Sequence, residues 1–376
     1  MRVLLTGGGT LGHVVPNLAV IDEFVKNSRK HEILYVGARD GIEKEAVLKF
    51  VKGLEFQHLE FEEVTVGKLR RYFSFQNFVD FFKVPVGIFQ AVRIVRRFRP
   101  EVVFSKGGFV AVPVVVGAGI LNLFRSRARR IPIVIHESDV VPGLANRISA
   151  RFADLIFVSS ERTKKFFGGR DASRPSRGRA KVEVVGNPIR AEVLKGTAER
   201  GMKLCGFHRF KPVILVMGGS LGAKQVNDLV WNGLDDLLKK FQVVHIVGKG
   251  NLDMGLKKDG YKQFELLFEE LKDVYAACDL VVSRGGANAL AEIAALGKKA
   301  VIIPLGTESS RGDQIVNAKA ASEEYGWQVL HGNVEVSQLL RAIDMASETS
   351  FGGEDVVHKK ASKRVFQALF DLTLNA

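Results

Sequence analysis

Cysteine and long apolar runs are both scarce in this 376-residue chain. Its two cysteines, Cys205 and Cys278, stand far apart in no metal-ligand spacing. A disulfide scaffold is therefore excluded, no metal is expected, and a reduced, cytoplasmic setting fits best. The longest apolar stretch, residues 109–124, falls short of the ~20 residues a membrane span needs. It also contains Pro113, Gly117 and Gly119, so it reads as a buried helix. The opening Met1-Arg2-Val3-Leu4-Leu5 meets Thr6-Gly7-Gly8-Gly9 before a secretory apolar region can form. No lysine completes a G-x-x-x-x-G-K-(S/T) loop, which removes the P-loop ATPases.

Acid is scarce in one half only. Up to Arg190 there are 32 Lys and Arg against 18 Asp and Glu; beyond it there are 23 of each. The whole net charge of +14 therefore lies in the first half. Such an excess speaks to partners rather than fold. A soluble basic face is the plain reading, and an anionic surface met by the first half is the sharper one.

What the chain does have is apolar strands and 38 glycines. Residues 2–6 form a buried-strand run, Gly7 to Gly12 a glycine loop, and residues 16–25 a helix. Further strands are expected at 32–37, 102–104, 133–135 and 155–158, with helices near 40–51, 77–98, 111–123 and 143–151. The basic, Gly- and Ser-rich stretch 168–181 reads as a surface loop. The second half repeats the opening: strand 212–217, then Gly218-Gly219-Ser220-Leu221-Gly222, then a helix. Strands at 243–247, 279–283, 300–304 and 327–330 follow. The expected fold class is α/β, with two Rossmann-like, doubly wound parallel-sheet domains facing a cleft between them. Residues 1–186 form the first domain and 187–355 the second, with a helix from about 356 to 376 packing back on the first.

A glycine loop before a helix presents free backbone amides and the positive end of the helix dipole, which suits phosphate. The first loop contains Gly7, Gly9 and Gly12 in G-x-G-x-x-G spacing. A nicotinamide enzyme also needs an acid at the end of the second strand. That strand ends Gly37-Ala38-Arg39, and Asp40 is a poor substitute, so an oxidoreductase is disfavoured. His13 stands directly behind the loop, either as a satisfied core residue or as a titratable group facing a ligand. His136-Glu137-Ser138-Asp139 gathers ionisable groups at one strand end, where Asp139 also suits capping of the next helix. Glu292, on a helix between two strands, suits either solvent or a ribose diol.

Residues 67–99 hold seven of the 26 phenylalanines among Lys and Arg. Lys68, Arg70, Arg71, Phe73, Phe75, Phe78 and Phe82 are the candidates for dipping into an anionic membrane surface. Aromatics beside basic residues also stack nucleobases. No nucleic-acid motif accompanies them, and no nucleic-acid partner is expected.

The motif set resembles a known family. Gly8-Gly9-Thr10-Leu11-Gly12-His13 with Pro16 is similar to the opening of the MurG family of bacterial peptidoglycan N-acetylglucosaminyltransferases. The likeness continues at Lys106-Gly107-Gly108-Phe109, His136-Glu137, Pro142-Gly143-Leu144-Ala145-Asn146 and Val185-Gly186-Asn187-Pro188. It resumes at Gly218-Gly219-Ser220-Leu221-Gly222, Arg284-Gly285-Gly286, Glu292 and Gln314, so it spans nearly the whole chain.

The resemblance implies a GT-B glycosyltransferase that moves GlcNAc from UDP-GlcNAc to lipid I without a cofactor. It implies a peripheral protein at the cytoplasmic face of the cell membrane, with other cell-wall synthesis proteins among its partners. By position, Ser220 and its loop hold the diphosphate, Glu292 the ribose, Phe268 and Leu271 the uracil, and Gln314 the sugar hydroxyls. Thr10, Gly12, His13 and Asp139 face sugar and acceptor, and Arg190 the donor. His13 is the first candidate base and Asp139 the second. Four positions depart from the family pattern: Leu11 for a glycine, Ser138-Asp139 for Gln-Asn, and Asp313 for a glutamine. The alternatives are another GT-B glycolipid transferase, such as a diacylglycerol glycosyltransferase, and a non-catalytic sugar-nucleotide or polyprenyl-phosphate binding module.

Overall fold

Leu4, Leu5, Val103, Ile133 and Ile135 are completely buried, so their strands lie under helices on both faces. The computed structural model describes residues 1–28, 30–54, 56, 58–67, 75–167, 180–208, 210–219, 221–306, 312–349 and 353–374, with side chains for all but 75–82 and 127. Contacts divide the chain into two units, Met1–Arg190 with Val357–Ala376, and Ala191–Val356.

The first unit holds seven strands: β1 (Arg2–Thr6), β2 (Glu32–Ala38), β3 (Leu59–Val64), β4 (Val102–Ser105), β5 (Ile133–Glu137), β6 (Leu155–Val158) and β7 (Lys181–Val184). They pair in the order β3-β2-β1-β4-β5-β6-β7, all parallel. The order reverses between β1 and β4. Such a switch point opens a crevice at the carboxyl ends of the strands, where α/β sheets bind ligands. The apolar stretch 109–124 forms the helix Ala111–Leu123, with Val114, Val115 and Ala118 buried against the sheet.

The first unit runs on to Arg190 because the terminal helix, Val356–Leu374, holds residues 187–189. The Asn187 amide donates to His358 Nδ1 at 2.8 Å, and Ser362 Oγ donates to the Ile189 carbonyl at 2.9 Å. Val365, Phe366 and Leu369 of this helix are buried, and Phe366 meets Phe24 edge to face at 4.9 Å.

The second unit has β8 (Val213–Met217), β9 (Gln242–Ile246), β10 (Tyr261–Phe264), β11 (Leu280–Ser283), β12 (Lys299–Ile302) and β13 (Gln328–Val329). Their order is β10-β9-β8-β11-β12-β13, again all parallel, with the switch between β8 and β11. One apolar core covers each face of this sheet.

Several expectations fall outside the described residues: Ser220, Lys68, Arg70, Arg71, Phe73 and most of the loop at 168–181. Phe75, Phe78 and Phe82 lie on the helix Phe75–Phe98, whose side chains are described only from residue 83.

Candidate functional site

At the switch point of the first unit, the loop after β1 and the loop after β4 interlock. The Lys106 amide donates to the Thr6 carbonyl at 2.9 Å. A Cβ on Gly108 would lie 2.3 Å from the Gly8 carbonyl oxygen and 2.9 Å from His13 Cδ2. Only glycine lets the two loops approach this closely, and the approach seats the His13 ring. His13 Nδ1 lies 3.2 Å from the Lys106 carbonyl. A carbonyl only accepts, so Nδ1 carries a proton, and in the neutral form of the ring the lone pair is on Nε2. Thr10 is the N-cap of the helix Leu11–Asn27 and makes no side-chain cap bond; it and Gly12 are exposed, whereas Leu11 is half-buried. Behind the loop, Tyr35 donates to the Gly7 carbonyl at 2.5 Å, and Asn17 Nδ2 donates to the Thr6 carbonyl at 3.2 Å.

A buried polar cluster continues from β5. Glu137 accepts from the Asp139 amide (3.0 Å), the Gly143 amide (3.1 Å) and Asn146 Nδ2 (2.9 Å). Glu137, not Asp139, therefore secures the turn into the helix Leu144–Ser149. The reason is reach: the longer carboxylate is buried beneath the turn, while Asp139 is half-exposed. Burial and then the Asp139 charge push the Glu137 carboxyl above its ordinary range. His136 Nε2 lies 2.8 Å from the Gly186 carbonyl, and burial followed by the Lys106 charge holds its imidazole well below its ordinary range. His136 is thus neutral, and its role is structural.

Lys106 is the residue here that sequence reasoning missed. It is 1% exposed and bonds Ser138 Oγ, which donates to Asn187 Oδ1 at 2.8 Å. Its signal was faint: one lysine closing an apolar strand just before two glycines. Arg190 is half-buried, and its Nε has no hydrogen-bond partner among the described residues.

In the second unit the loop after β8 leads to the helix Lys224–Asn232. Gly222 adopts φ +77°, and a Cβ there would lie 2.1 Å from the Val247 carbonyl oxygen. Arg284, after β11, donates to the Gly218 carbonyl at 3.3 Å, bringing a half-buried guanidinium to the same loop. Glu292 is buried on the helix Ala287–Ala295 and accepts from the Tyr275 hydroxyl at 3.2 Å. Gln314 opens the next helix, Asp313–Tyr325; its Oε1 accepts from the Leu305 amide at 3.0 Å, which directs the other end of the amide as a donor. Phe268 is exposed, whereas the Leu271 side chain is buried in the core. The structure thus groups Gly8–His13 with Asp139's strand end in one unit, and the Gly218–Gly222 loop with Arg284 in the other.

Two family models match the chain: the glycosyltransferase family 28 N-terminal domain over residues 3–158, and its C-terminal domain over residues 213–362. A Bacillus cereus protein named UDP-N-acetylglucosamine–N-acetylmuramyl-(pentapeptide) pyrophosphoryl-undecaprenol N-acetylglucosamine transferase 2 is 42% identical over 370 residues, 98% of this chain and 97% of that protein. A Clostridium botulinum transferase named for the same reaction is 45% identical over 324 residues, 86% of this chain and 83% of the relative. Among solved structures, Acinetobacter baumannii MurG superposes with a TM-score of 0.66 at 21% identity, covering 98% of this chain and 99% of that one. A Neisseria meningitidis UDP-GlcNAc 2-epimerase bound to UDP-GlcNAc gives 0.63 at 14% identity, covering 99% and 100%. Likeness at these identities speaks for the fold alone. With both domain models matched in order and 42% identity end to end, the chain belongs to glycosyltransferase family 28, in the MurG group of N-acetylglucosamine transferases.

Proposed function

We propose that this protein transfers GlcNAc from UDP-GlcNAc to the muramyl 4-hydroxyl of lipid I, a polyprenyl-pyrophosphate-linked muramyl peptide, giving lipid II for peptidoglycan. The observation that carries the reading is the end-to-end match to transferases named for this reaction. In a single displacement, the acceptor oxygen forms a bond to the anomeric carbon as the bond to UDP breaks, with inversion. The acceptor proton passes to a base, and UDP leaves with the bonding pair.

The second unit supplies the groups for the leaving diphosphate: the loop amides of residues 218–223, the dipole of the helix Lys224–Asn232, the Arg284 guanidinium and Ser220. Glu292, fixed by Tyr275, accepts from the ribose hydroxyls, and Gln314 donates to the sugar. Phe268 flanks the uracil, with Leu271 holding that segment from the core. Thr10, Gly12 and Arg190 complete the contacts. In the first unit, His13 takes the proton on Nε2, with Asp139 as second candidate. Incubating the protein with UDP-GlcNAc and a lipid I analogue, with diacylglycerol in parallel, tests the reading. Transfer to diacylglycerol alone would move it to another glycolipid reaction. Tight UDP-GlcNAc binding without transfer would make the protein a binding module.

The acceptor is lipid-linked, which argues for a peripheral protein at the membrane surface, and the family resemblance argues for the cytoplasmic face. Among the described residues no helix is long and apolar enough to cross a membrane. Support for surface binding comes from a cavity of about 810 Å³ lined by Arg96, Arg99, Arg125, Arg129 and Arg130 beside Phe124, which is 85% exposed. Phe89, on the helix Phe75–Phe98, is 71% exposed. Exposed aromatics beside arginines suit the headgroup layer of anionic lipid. Binding to vesicles containing an anionic phospholipid is expected to exceed binding to neutral vesicles at least tenfold at low salt, at ~1 kcal/mol per engaged charge. It should fall as salt rises, and indifference to lipid charge would remove the membrane part.

A further inference from the structure

His245 interrupts the apolar run of β9, and its imidazole is completely buried. It sits in a chain of hydrogen bonds that ends beneath the loop assigned to the diphosphate. Trp231 Nε1 lies 2.9 Å from the Tyr261 hydroxyl, which lies 3.0 Å from His245 Nδ1. His245 Nε2 lies 3.1 Å from Asn227 Oδ1, and Asn227 Nδ2 lies 2.9 Å from the Val247 carbonyl oxygen. Asn227 and Tyr261 are buried as well.

Every bond in the chain has a forced direction. The Val247 carbonyl only accepts, so Asn227 turns its amide nitrogen to it and its oxygen to His245. That oxygen also only accepts, so Nε2 carries the proton. Burial draws the His245 imidazole down to about 3, so the ring is neutral and Nδ1 accepts. Tyr261 therefore donates to Nδ1, while its oxygen accepts from the Trp231 indole, which has only a proton to offer. A fully satisfied buried network of this kind fixes a single geometry.

The glycine loop rests on the carbonyl at the end of the chain. A Cβ on Gly222 would lie 2.1 Å from the Val247 oxygen, and one on Gly248 would lie 2.2 Å from the Gly222 nitrogen. The Val247 amide is itself tied to the Phe264 carbonyl at 2.9 Å. Asn227 belongs to the helix Lys224–Asn232, which the loop leads into, and His245 to the strand beside β8. The network thus holds loop and helix against one point of the sheet. Filling the space alone would need only apolar residues, as at Val243 and Val244 of the same strand.

We propose that Asn227 and His245 are positioning residues for diphosphate recognition: held by Tyr261 and Trp231, they fix the Val247 carbonyl and so the aim of the amides in the Gly218–Gly222 loop. The proposal rests on the reading of that loop as the diphosphate site.

The test titrates the full-length wild type and its variants with UDP and with uridine, which has the base and ribose but no phosphate. Wild type should bind UDP far more tightly than uridine. Asn227→Leu should weaken UDP binding about tenfold and leave uridine within about twofold. Asn227→Leu/His245→Phe, which removes the imidazole together with its acceptor, should show the same selective loss and keeps the comparison open where the single variant fails to fold. Tyr261→Phe, two bonds further from the loop, should cost UDP no more than about threefold. A merely structural network would lower the melting temperature and weaken both ligands alike. An unchanged UDP-to-uridine ratio in the folded variants overturns the proposal. Ring-nitrogen NMR of the wild type checks the bond directions without any variant. His245 should be neutral with its proton on Nε2 at neutral pH, and a proton on Nδ1 overturns the proposal. A wild type that binds uridine as tightly as UDP overturns the reading of the loop itself, and the proposal with it.

Discussion

His13→Ala is expected to lower kcat by roughly 10²–10⁴, the usual contribution of a positioned base, while affinity for UDP stays within about twofold. The asymmetry follows from placement. His13 sits behind the glycine loop of the first unit, whereas the loop assigned to the diphosphate and the carboxylate assigned to the ribose are in the second. In the proposed reaction the accepting nitrogen follows from the hydrogen bond: Nδ1 faces the Lys106 carbonyl, which leaves Nε2 for the acceptor's proton. His13→Asn, which keeps a hydrogen bond without an imidazole's basicity, should be nearly as slow as His13→Ala. Single-turnover kinetics together with UDP titration would check both. An alanine variant with unchanged kcat would take His13 out of the chemistry and leave Asp139 as the candidate.

Gly222→Ala should weaken UDP binding by about 100-fold. The backbone at Gly222 has φ +77°, where a side chain adds roughly 1–2 kcal/mol of strain. The new Cβ would also press on the Val247 carbonyl, for which overpacking adds ~1–3 kcal/mol. That carbonyl is pinned, since it accepts Asn227 Nδ2 at 2.9 Å and Asn251 Nδ2 at 3.2 Å. The loop therefore gives way rather than the sheet, and its amides lose their aim. At a tenfold loss per 1.4 kcal/mol, the combined strain corresponds to the stated loss. Calorimetric titration with UDP measures it. Undiminished affinity in a folded Gly222→Ala protein would mean that these amides do not hold the diphosphate.

The parts of this protein that sequence reveals are those where one residue type does one job. Central strands are unbroken apolar runs because both faces are covered, so β1, β5, β8 and β11 are legible. Edge strands are not. β3 reads Leu-Glu-Phe-Glu-Glu-Val with only Val64 fully buried, and β10 reads Tyr-Lys-Gln-Phe. Each carries half the signal and resembles loop. The glycine loops are legible because close backbone approach leaves no substitute for glycine. The electrostatic logic between them is not. A lysine in a string of letters looks like surface, and nothing local says that Lys106 is buried with Ser138 and Asn187, which come from distant segments. The same holds for Glu137 and Asp139, two residues apart, one a saturated structural anchor and the other half-exposed. Which carboxylate does which job depends on side-chain length and depth, and those exist only once the sheet has formed.

The terminal helix carries one more consequence. The first unit is sequence-discontinuous: its sheet lies in residues 1–190, and a covering helix follows the whole of 191–356. During synthesis the core around Phe24, on the helix Leu11–Asn27, waits uncovered until Phe366 and Leu369 exist. The unit made first is therefore the one finished last. Until then that apolar core stays open to aggregation, whereas the second unit is built from one continuous segment, Ala191–Val356, and has no such later piece to wait for.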